Sequence, residues 1–482
     1  MYRTIVCCLA LPFAVACDCN GAQGRLPDSG GGGSDLAGGG ADGSLDGGGD
    51  LARPADGALA DGSRLDGGDG GGALDGGALD GSPADLGRPP PALDGGSSPC
   101  SGDPDVWDVP LDVTDGGWQL EPRLTWTGTD YALAWADTDL PLGSHPFLAR
   151  GALLSPTGNA AAPTAALAPV AGAPSTFLQE SPRLGWNGAG LIAVLADNRQ
   201  PGNVQIQTQP QAATLGPQGT LWTLGISNDD DRWPAVAWDP IDNQWGVAWN
   251  EIAGAALYDL QMARLDASGV YVVGSRVPIV PMRQPSPGFS GAAMSNLAGG
   301  VPFLWNGGGW TFVYAENRVT GIGLRRLDPM GGFVSQSTIG SAPGVYPSTS
   351  VDWSGAEYGV GWVEYTAAGP REALFASADA SGVFSTGPIL LSNPANDSDW
   401  VGVRWTGSEW LATWEEDDGS GQKQIWTARL DGTQVLAGTR RALTCGAYSS
   451  EQPDPSWNGT YAVVAYLRRT TQASHIAFLL VP

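Results

Sequence analysis

The sequence predicts an all-β fold, a seven-bladed β-propeller of four-stranded antiparallel blades. Three observations carry that reading. A Trp-centred segment recurs seven times at a spacing near 50 residues, a period that means a solenoid, an array or a propeller. Each copy alternates large and small residues with period 2, the pattern of strands. The last copy stops one strand short, and the segment before the first copy can supply the missing one.

The copies align on Trp126, Trp186, Trp238, Trp305, Trp353, Trp405 and Trp457, with gaps of 60, 52, 67, 48, 52 and 52 residues. Two residues after six of these Trps stands a Gly (128, 188, 307, 355, 407, 459), preceded by Thr, Asn or Ser. Such pairs supply the positive φ of a tight hairpin. The third copy, "WDPIDNQW", is two residues longer, so its turn must differ. Beyond the turn, "YALAW", "WGVAW", "YGVGW" and "WLATW" place large residues opposite Ala, Gly or Thr and end on Trp135, Leu195, Trp249, Tyr314, Trp362, Trp414 and Tyr466. Third strands follow, such as "LQMARLDASG" and "IWTARLDGTQ", and then a weaker fourth, such as "GPILLS". Four strands per repeat and Gly-rich turns give blades rather than the shorter coils of a linear solenoid.

The last copy ends with "HIAFLLVP" at Pro482, while "DVWDVPLDVTDGG" precedes the first Trp of the repeat. Pairing the two closes the ring and removes an exposed sheet edge. The chain is therefore expected to divide into a signal segment (1–16), a tether (17–99) and a propeller (100–482).

The Trp-[Asn/Ser/Thr]-Gly repeat, with its "VAW.E" and "ARLD..G" continuations, resembles that of lipid-anchored propeller proteins of Gram-negative bacteria that carry long low-complexity tethers. The resemblance covers residues 105 to 482. It implies architecture and an envelope location and brings no settled activity. The copies lack the Ser-x-Asp-x-Gly-x-Thr-Trp boxes of sialidases and the Gly-His and Trp-Asp marks of WD40 blades.

The first 17 residues, "MYRTIVCCLALPFAVAC", carry one Arg and then an apolar run too short for a membrane span and suited to a signal-peptide core. Ala14, Val15, Ala16 and Cys17 resemble a bacterial lipobox, which implies lipidation of Cys17. Residues 21 to 99 hold 13 Asp, no Glu and 4 Arg with no aromatic residue. Such a segment cannot bury enough surface to offset its chain entropy, so a disordered tether is expected, with a span of about 50 Å. Once the signal is removed, Cys19, Cys100 and Cys445 remain beside the anchor. In an exported chain Cys100 and Cys445 are expected to pair as a disulfide.

Charge excludes one class of partner. The chain carries −26 at pH 7, about −17 of it in the folded part, so nucleic acid, whose binding needs neutralised phosphates, is not a partner. Only His145 and His475 are available for triad or metal chemistry, and each reads as a solvated polar residue. Adjacent acids such as Glu415 and Glu416, or Asp229 to Asp231, do not by themselves establish the separation that a glycosidase pair requires.

One constellation repeats. Two residues after the second large residue stand Asp137, Asp197, Glu251, Glu316, Glu364, Glu416 and, in the seventh copy, Arg468. Rotation of the blades would set these on a ring at the mouth, where like charges focus potential. Three readings stay open for it: ion pairs within blades, using Arg150, Arg264, Arg326 and Arg429; recognition of a ligand; and metal binding, with calcium as the ion. No other cofactor is expected. Trp222, Trp233, Trp310 and Trp400, outside the aligned Trp position, are candidates for stacking on a glycan.

The function expected from these residues is a monomeric, membrane-anchored envelope protein whose propeller binds an envelope or extracellular protein or glycan without catalysis. The rivals are a polysaccharide-acting hydrolase or lyase that uses funnel carboxylates, and a structural spacer. An enzyme should bring two or three polar residues that break the repeat into one pocket, with perturbed pKa values. A binder should present a broad, repeated or aromatic surface.

Overall fold

The structure, a computed structural model, describes residues 106–108 and 118–481 apart from 139–146, 157–163, 171–176, 200–202, 225–228, 254–256, 281–300, 317–320, 340–347, 365–368, 446–447 and 471–472. The signal segment, Cys17, the tether, Cys19, Cys100 and His145 lie outside the described residues. Every regular element among the described residues is a strand, and no helix there is long and apolar enough to cross a membrane.

The chain begins with β1 (Val106–Asp108) and then repeats a meander of four strands. The first set is β2 (Trp118–Trp126), β3 (Tyr131–Thr138), β4 (Leu148–Leu154) and β5 (Ala165–Ala166). The second is β6 (Gln179–Trp186), β7 (Leu191–Asp197), β8 (Gln205–Gln211) and β9 (Trp222–Thr223). The third runs through β10 (Asp230–Asp239), β11 (Gln244–Ala253), β12 (Leu257–Asp266) and β13 (Val277–Val280), and the fourth through β14 (Phe303–Trp305), β15 (Trp310–Glu316), β16 (Gly321–Leu327) and β17 (Phe333–Ile339). Then come β18 (Thr349–Trp353), β19 (Glu357–Glu364), β20 (Glu372–Asp379) and β21 (Ile389–Leu390), followed by β22 (Ser398–Trp405), β23 (Trp410–Asp417), β24 (Lys423–Leu430) and β25 (Arg441–Ala442). The final set is β26 (Ser449–Trp457), β27 (Ala462–Arg469) and β28 (Ser474–Val481). Strand β1 is its fourth member, antiparallel to β28, with Val106 opposite Leu479 and Asp108 opposite Ala477.

Hydrogen bonding groups these strands into six sheets among the described residues, where the repeat predicts seven. Five have four strands and one has eight. The larger sheet arises because a single parallel pair, Trp118 opposite Ser474, joins β2 to β28. Gln119 makes that seam: its amide donates to Ser474 Oγ at 3.1 Å, its carbonyl accepts from the same hydroxyl at 2.5 Å, and its Oε1 accepts from the Ile476 amide at 2.8 Å.

The hairpins follow from the turn residues. Gly128, Gly188, Gly307, Gly355, Gly407 and Gly459 all hold φ between 90° and 95°, a region that costs other L-residues roughly 1–2 kcal/mol. In the longer third hairpin Asn243 takes φ 55°, and Asp239 Oδ1 accepts from the Ile241 amide at 2.8 Å. Across several of these turns an aromatic pair closes the strand ends. Trp126 and Tyr131 lie 4.7 Å apart, Trp353 and Tyr358 4.4 Å, and Trp405 and Trp410 4.9 Å.

Small residues between the large ones have a packing role. A Cβ on Gly359 of β19 would lie 2.5 Å from Trp410 Cε3 of β23. One on Gly246 of β11 would lie 2.7 Å from Trp310 Cζ3 of β15, and one on Gly185 of β6 would lie 2.7 Å from Trp245 Cζ3 of β11. Each glycine thus admits the indole of the next set, which explains the large-small alternation. The buried apolar residues fall into clusters between consecutive sets. One holds Val363, Phe375, Trp410 and Trp414, and another unites Tyr131, Leu133 and Trp135 with Val463 and Phe478 from the two ends of the chain.

Along β22 and β2, side chains of the neighbouring set serve backbone amides that the strand ladders leave over. Ser348 Oγ, Ser350 Oγ and Asp352 Oδ2 accept from the amides of Val401, Val403 and Trp405 at 3.2, 3.0 and 2.8 Å. Asp454 Oδ2 accepts from the Leu124 amide at 2.7 Å and Gln452 Oε1 from the Glu121 amide at 3.0 Å. No disulfide is present among the described residues, and Cys445 is exposed.

Candidate functional site

The first strands of all seven sets converge on one cavity of about 180 Å³. The residues three before each hairpin Trp are Arg123, Arg183, Ala235, Pro302, Ser350, Gly402 and Asp454, and all seven line it. Here the repeat breaks: this position carries a different chemistry in nearly every set.

The strands do not enter the cavity straight. In β2, β6, β10, β22 and β26 the ladder to the second strand slips by a bulge. At each bulge one residue is left-handed: Glu121 (φ 57°), Ser181 (51°), Trp233 (53°), Trp400 (48°) and Gln452 (57°). Such backbone costs about 1–3 kcal/mol per residue and gathers at functional sites. Bulges also re-aim side chains. Here they bring Glu121 and Ser181 beside Arg123 and Arg183.

The electrostatics of this corner are uneven. Burial raises the Glu121 carboxyl above its ordinary pKa, and the charge of Glu180 raises it further, against the Ser181 hydroxyl and the guanidiniums of Arg183 and Arg123. Glu180 itself is ion-paired with Arg232 at 2.5 Å. Burial holds Arg183 well below its usual value, and Arg123 and Arg404 add to this while Glu121 and Asp454 oppose it. Arg123 stands 3.9 Å from Asp454 and 5.6 Å over the Trp400 ring.

A second polar group lies beside the bulge of β26. Burial pushes Glu415 up to about 7; Lys423 pulls it down, and Asp399 and Glu451 add to the rise. Glu415 pairs with Lys423, and its Oε2 accepts from the amide of left-handed Gln452 at 2.9 Å. Arg371 ties Asp397 to Asp399, and Arg469 pairs with Glu451 at 2.9 Å.

The repeated acids predicted as a ring stand at the ends of the second strands, one strand outward from the cavity. Asp137 lies 3.7 Å from Arg150, its expected partner. The others use different arginines. Asp197 pairs with Arg199, Glu251 with Arg276 at 2.7 Å, and Glu416 with Arg440 at 3.0 Å while accepting from Trp414 Nε1 at 2.9 Å. Arg264 instead donates to Gln244 Oε1 at 3.0 Å and Arg429 pairs with Glu409 at 3.1 Å. Glu364 is raised by burial and by Glu372, Arg468 lies 4.6 Å over the Tyr448 ring, and Glu316 closes β15. Among the described residues no three of His, Cys, Asp and Glu form a group able to hold a metal ion. Of the Trps singled out for stacking, Trp310 is fully buried, while Trp233 and Trp400 stand at bulges beside the cavity and Trp222 is half-buried on β9.

These shifts set a pH dependence of stability. The hairpin carboxylates Asp379, Asp418 and Asp431 are lowered, Asp431 to about 2, chiefly by Ser381, by Ser420 and by the Thr433 amide. Their contribution is complete above the ordinary Asp value and is lost as pH falls through the lowered one. Glu415 and Asp231, both raised to about 7 by burial, act the other way: their contribution is complete below the ordinary value and is lost as pH rises through about 7. The expected result is a denaturation midpoint that peaks between about pH 4 and 5. Midpoints that rise steadily from pH 5 to 8 would contradict it.

No protein-family model matches the chain, and neither does any curated protein sequence. Solved structures do match. A Trypanosoma rangeli sialidase with sialic acid is 9% identical, over 75% of this chain and 54% of its own, at a TM-score of 0.42. A study of two prolyl endopeptidases supplies a match of 10% identity over 76% and 50%, at 0.45, and an endo-arabinase from Bacteroides thetaiotaomicron one of 12% over 52% and 94%, at 0.31. The chain spans about half the length of the T. rangeli sialidases it matches. The expectation of a protein that is no enzyme is corrected by these matches, which include sialidases and an endo-arabinase.

Proposed function

We propose that the chain is a glycan-cleaving hydrolase on a seven-bladed propeller, with Glu121 as general acid and Glu180 as its partner carboxylate. The observation that carries the reading is that Glu121, its carboxyl raised by burial, interacts with Glu180 and with Arg123 and Arg183, the two arginines that line the cavity. These residues break the repeat, as a catalytic site does and a repeated binding surface does not. Two carboxyl groups with different environments suit glycoside chemistry. Glu121, carrying its proton, donates it to the leaving oxygen as the glycosidic bond breaks, and Glu180 activates water or attacks from the other face of the sugar.

Closure into seven blades is supported by the pairing of β1 with β28, by the Gln119 to Ser474 seam and by the apolar cluster that unites the two ends. The arginine partners of Asp137, Asp197, Glu251 and Glu416 favour an ion-pairing role for the repeated acids. The lipobox-like text before Cys17 supports an envelope lipoprotein. A Cys17→Ser chain should leave the membrane fraction for the soluble one, and membrane retention would refute the anchor.

The test of the activity is release of new reducing ends from a panel of polysaccharides by the full chain. Cleavage of at least one is expected. If no glycan in a panel of neutral, uronate-bearing and sulfated polymers is cleaved, the reading fails.

A further inference from the structure

We propose that the outer edge of β17 is a docking site for an extended acidic segment of a partner protein, which joins the sheet as a fifth strand. The outermost strands of the other sets are short. Strands β5, β9, β21 and β25 have two residues each, β1 has three, and β13 has four, one of them Pro278. Short or proline-bearing edges keep a sheet from recruiting foreign chains. Strand β17 instead has seven residues, "FVSQSTI", with no charge, no proline and no glycine. It ends its sheet, and no strand among the described residues pairs with its outer side. An uncharged edge of this length and composition is a template for another strand.

The side chains on the two faces of this edge select the occupant. One face is held by the fifth set: Ser335 Oγ donates to the Ser381 carbonyl at 3.0 Å and Ser337 Oγ donates to that of Gly382. The next residue of that turn, Val383, is 55% exposed. On the opposite face Arg325 reaches over from β16, with its guanidinium carbon 4.6 Å from the centre of the Phe333 ring and Nη1 donating to Gln336 Oε1 at 3.3 Å. Phe333 is itself 60% exposed, and Met330 in the turn before it is exposed as well.

Charge favours an acidic partner. The chain carries 50 acidic residues against 24 basic ones, and many of its arginines pair with carboxylates, as Arg276 does with Glu251 and Arg440 with Glu416. Arg325 and its neighbour Arg326 make no ion pair among the described residues, and the Nε of each is buried without a hydrogen-bond partner. An added strand lies about 4.8 Å beyond β17, so a carboxylate on its Arg325 side meets a guanidinium that already overhangs the edge. Such charge-assisted bonds are the strong ones. Side chains alternate along a strand, so the residues between those acids turn toward the exposed Val383, where apolar groups fit. Backbone bonds then supply affinity and the alternating side chains supply selectivity. A second copy of β17 fits worse: a two-fold axis through the strand pair sets Arg325 against its own image, and both chains carry the same net charge of −26.

The experiment is calorimetric titration of the full chain with three peptides. The first is a peptide of about nine alternating Glu and Val residues, long enough to span β17. The second has Lys in place of Glu, and the third is the Glu peptide methylated on its backbone amides. The Glu peptide should bind with a dissociation constant below about 1 mM, and each of the others should bind at least about tenfold more weakly. The net charge of the chain alone would favour the Lys peptide, so a preference for Glu reports the two arginines. Arg325→Gln should weaken the Glu peptide and leave the Lys peptide unchanged. No binding of the Glu peptide, or equal binding of the Lys or the methylated peptide, overturns the proposal, and these arms decide on the unaltered chain even if the variant fails to fold. Sedimentation of the chain alone should show no dimer that Val334→Lys disperses; such a dimer would give the edge to a second copy and overturn the peptide site. None of these measurements uses glycan cleavage, so their failure leaves the hydrolytic reading standing, and the failure of that reading leaves this one.

Discussion

Glu121→Gln should lower glycan cleavage by roughly 10² to 10⁴ while leaving the fold intact, because that is the usual worth of a positioned general acid. Gln keeps the volume of Glu and its hydrogen-bonding capacity but has no acidic proton to give to a leaving oxygen. Removing the charge is mild for the fold, since burial already disfavours the ionised carboxyl. The same raised value sets the sign of the pH profile. The protonated form is the competent acid, so activity of the unaltered chain should fall as pH rises through the Glu121 pKa. Glu409→Gln serves as the control, since Glu409 sits at a hairpin with Arg429, at the end of β22 remote from the bulge. Reducing-end assays decide it: a Glu121→Gln chain that turns over like the unaltered one removes Glu121 from the chemistry.

The fold was legible because its determinants recur. A Trp, a Gly two residues on and a period-2 strand repeat often enough that the hairpins, the glycine backbone and even the deviant third turn could be read directly. The count of sheets was less so. Whether the last and first sets fuse depends on one Gln and one Ser, Gln119 and Ser474, whose contact spans 355 residues of sequence and leaves no periodic mark.

The candidate site was missed for the opposite reason. A search for repeated chemistry finds Asp137, Asp197, Glu251 and their equivalents, and the structure ties Asp137, Asp197, Glu251 and Glu416 to arginines of their own sets. The position three before the hairpin Trp holds Arg, Arg, Ala, Pro, Ser, Gly and Asp in turn, so no period announces it. One signal was available. Pro122, Pro182, Pro234 and Pro453 all stand four residues before a hairpin Trp. Proline cannot donate to a ladder and is confined to edges and bulges. Four prolines at one repeat position therefore marked the bulges that turn Glu121 and Ser181 inward.

Trp410→Ala should be the most destabilising single change in the core, by about 3–5 kcal/mol. The indole is fully buried between the fifth and sixth sets, 4.9 Å from Trp405 and 5.9 Å from Phe375. Its removal leaves a cavity bounded by strands of two sheets, neither of which can move inward without breaking its own ladder. Gly359→Ala should also destabilise, for a complementary reason: its new Cβ would meet the Trp410 ring at 2.5 Å, and neither backbone nor indole has room to retreat. The two changes should then fail to add. With Trp410 replaced by Ala the obstacle to a Cβ on Gly359 is gone, and the methyl group partly fills the space the indole left. A double-mutant cycle read from denaturation midpoints should show the pair to be less destabilised than the sum of the single changes, by about 0.5–3 kcal/mol. Strict additivity would mean that the glycine and the indole do not meet, and the packing rule that joins one set of strands to the next would fail with it.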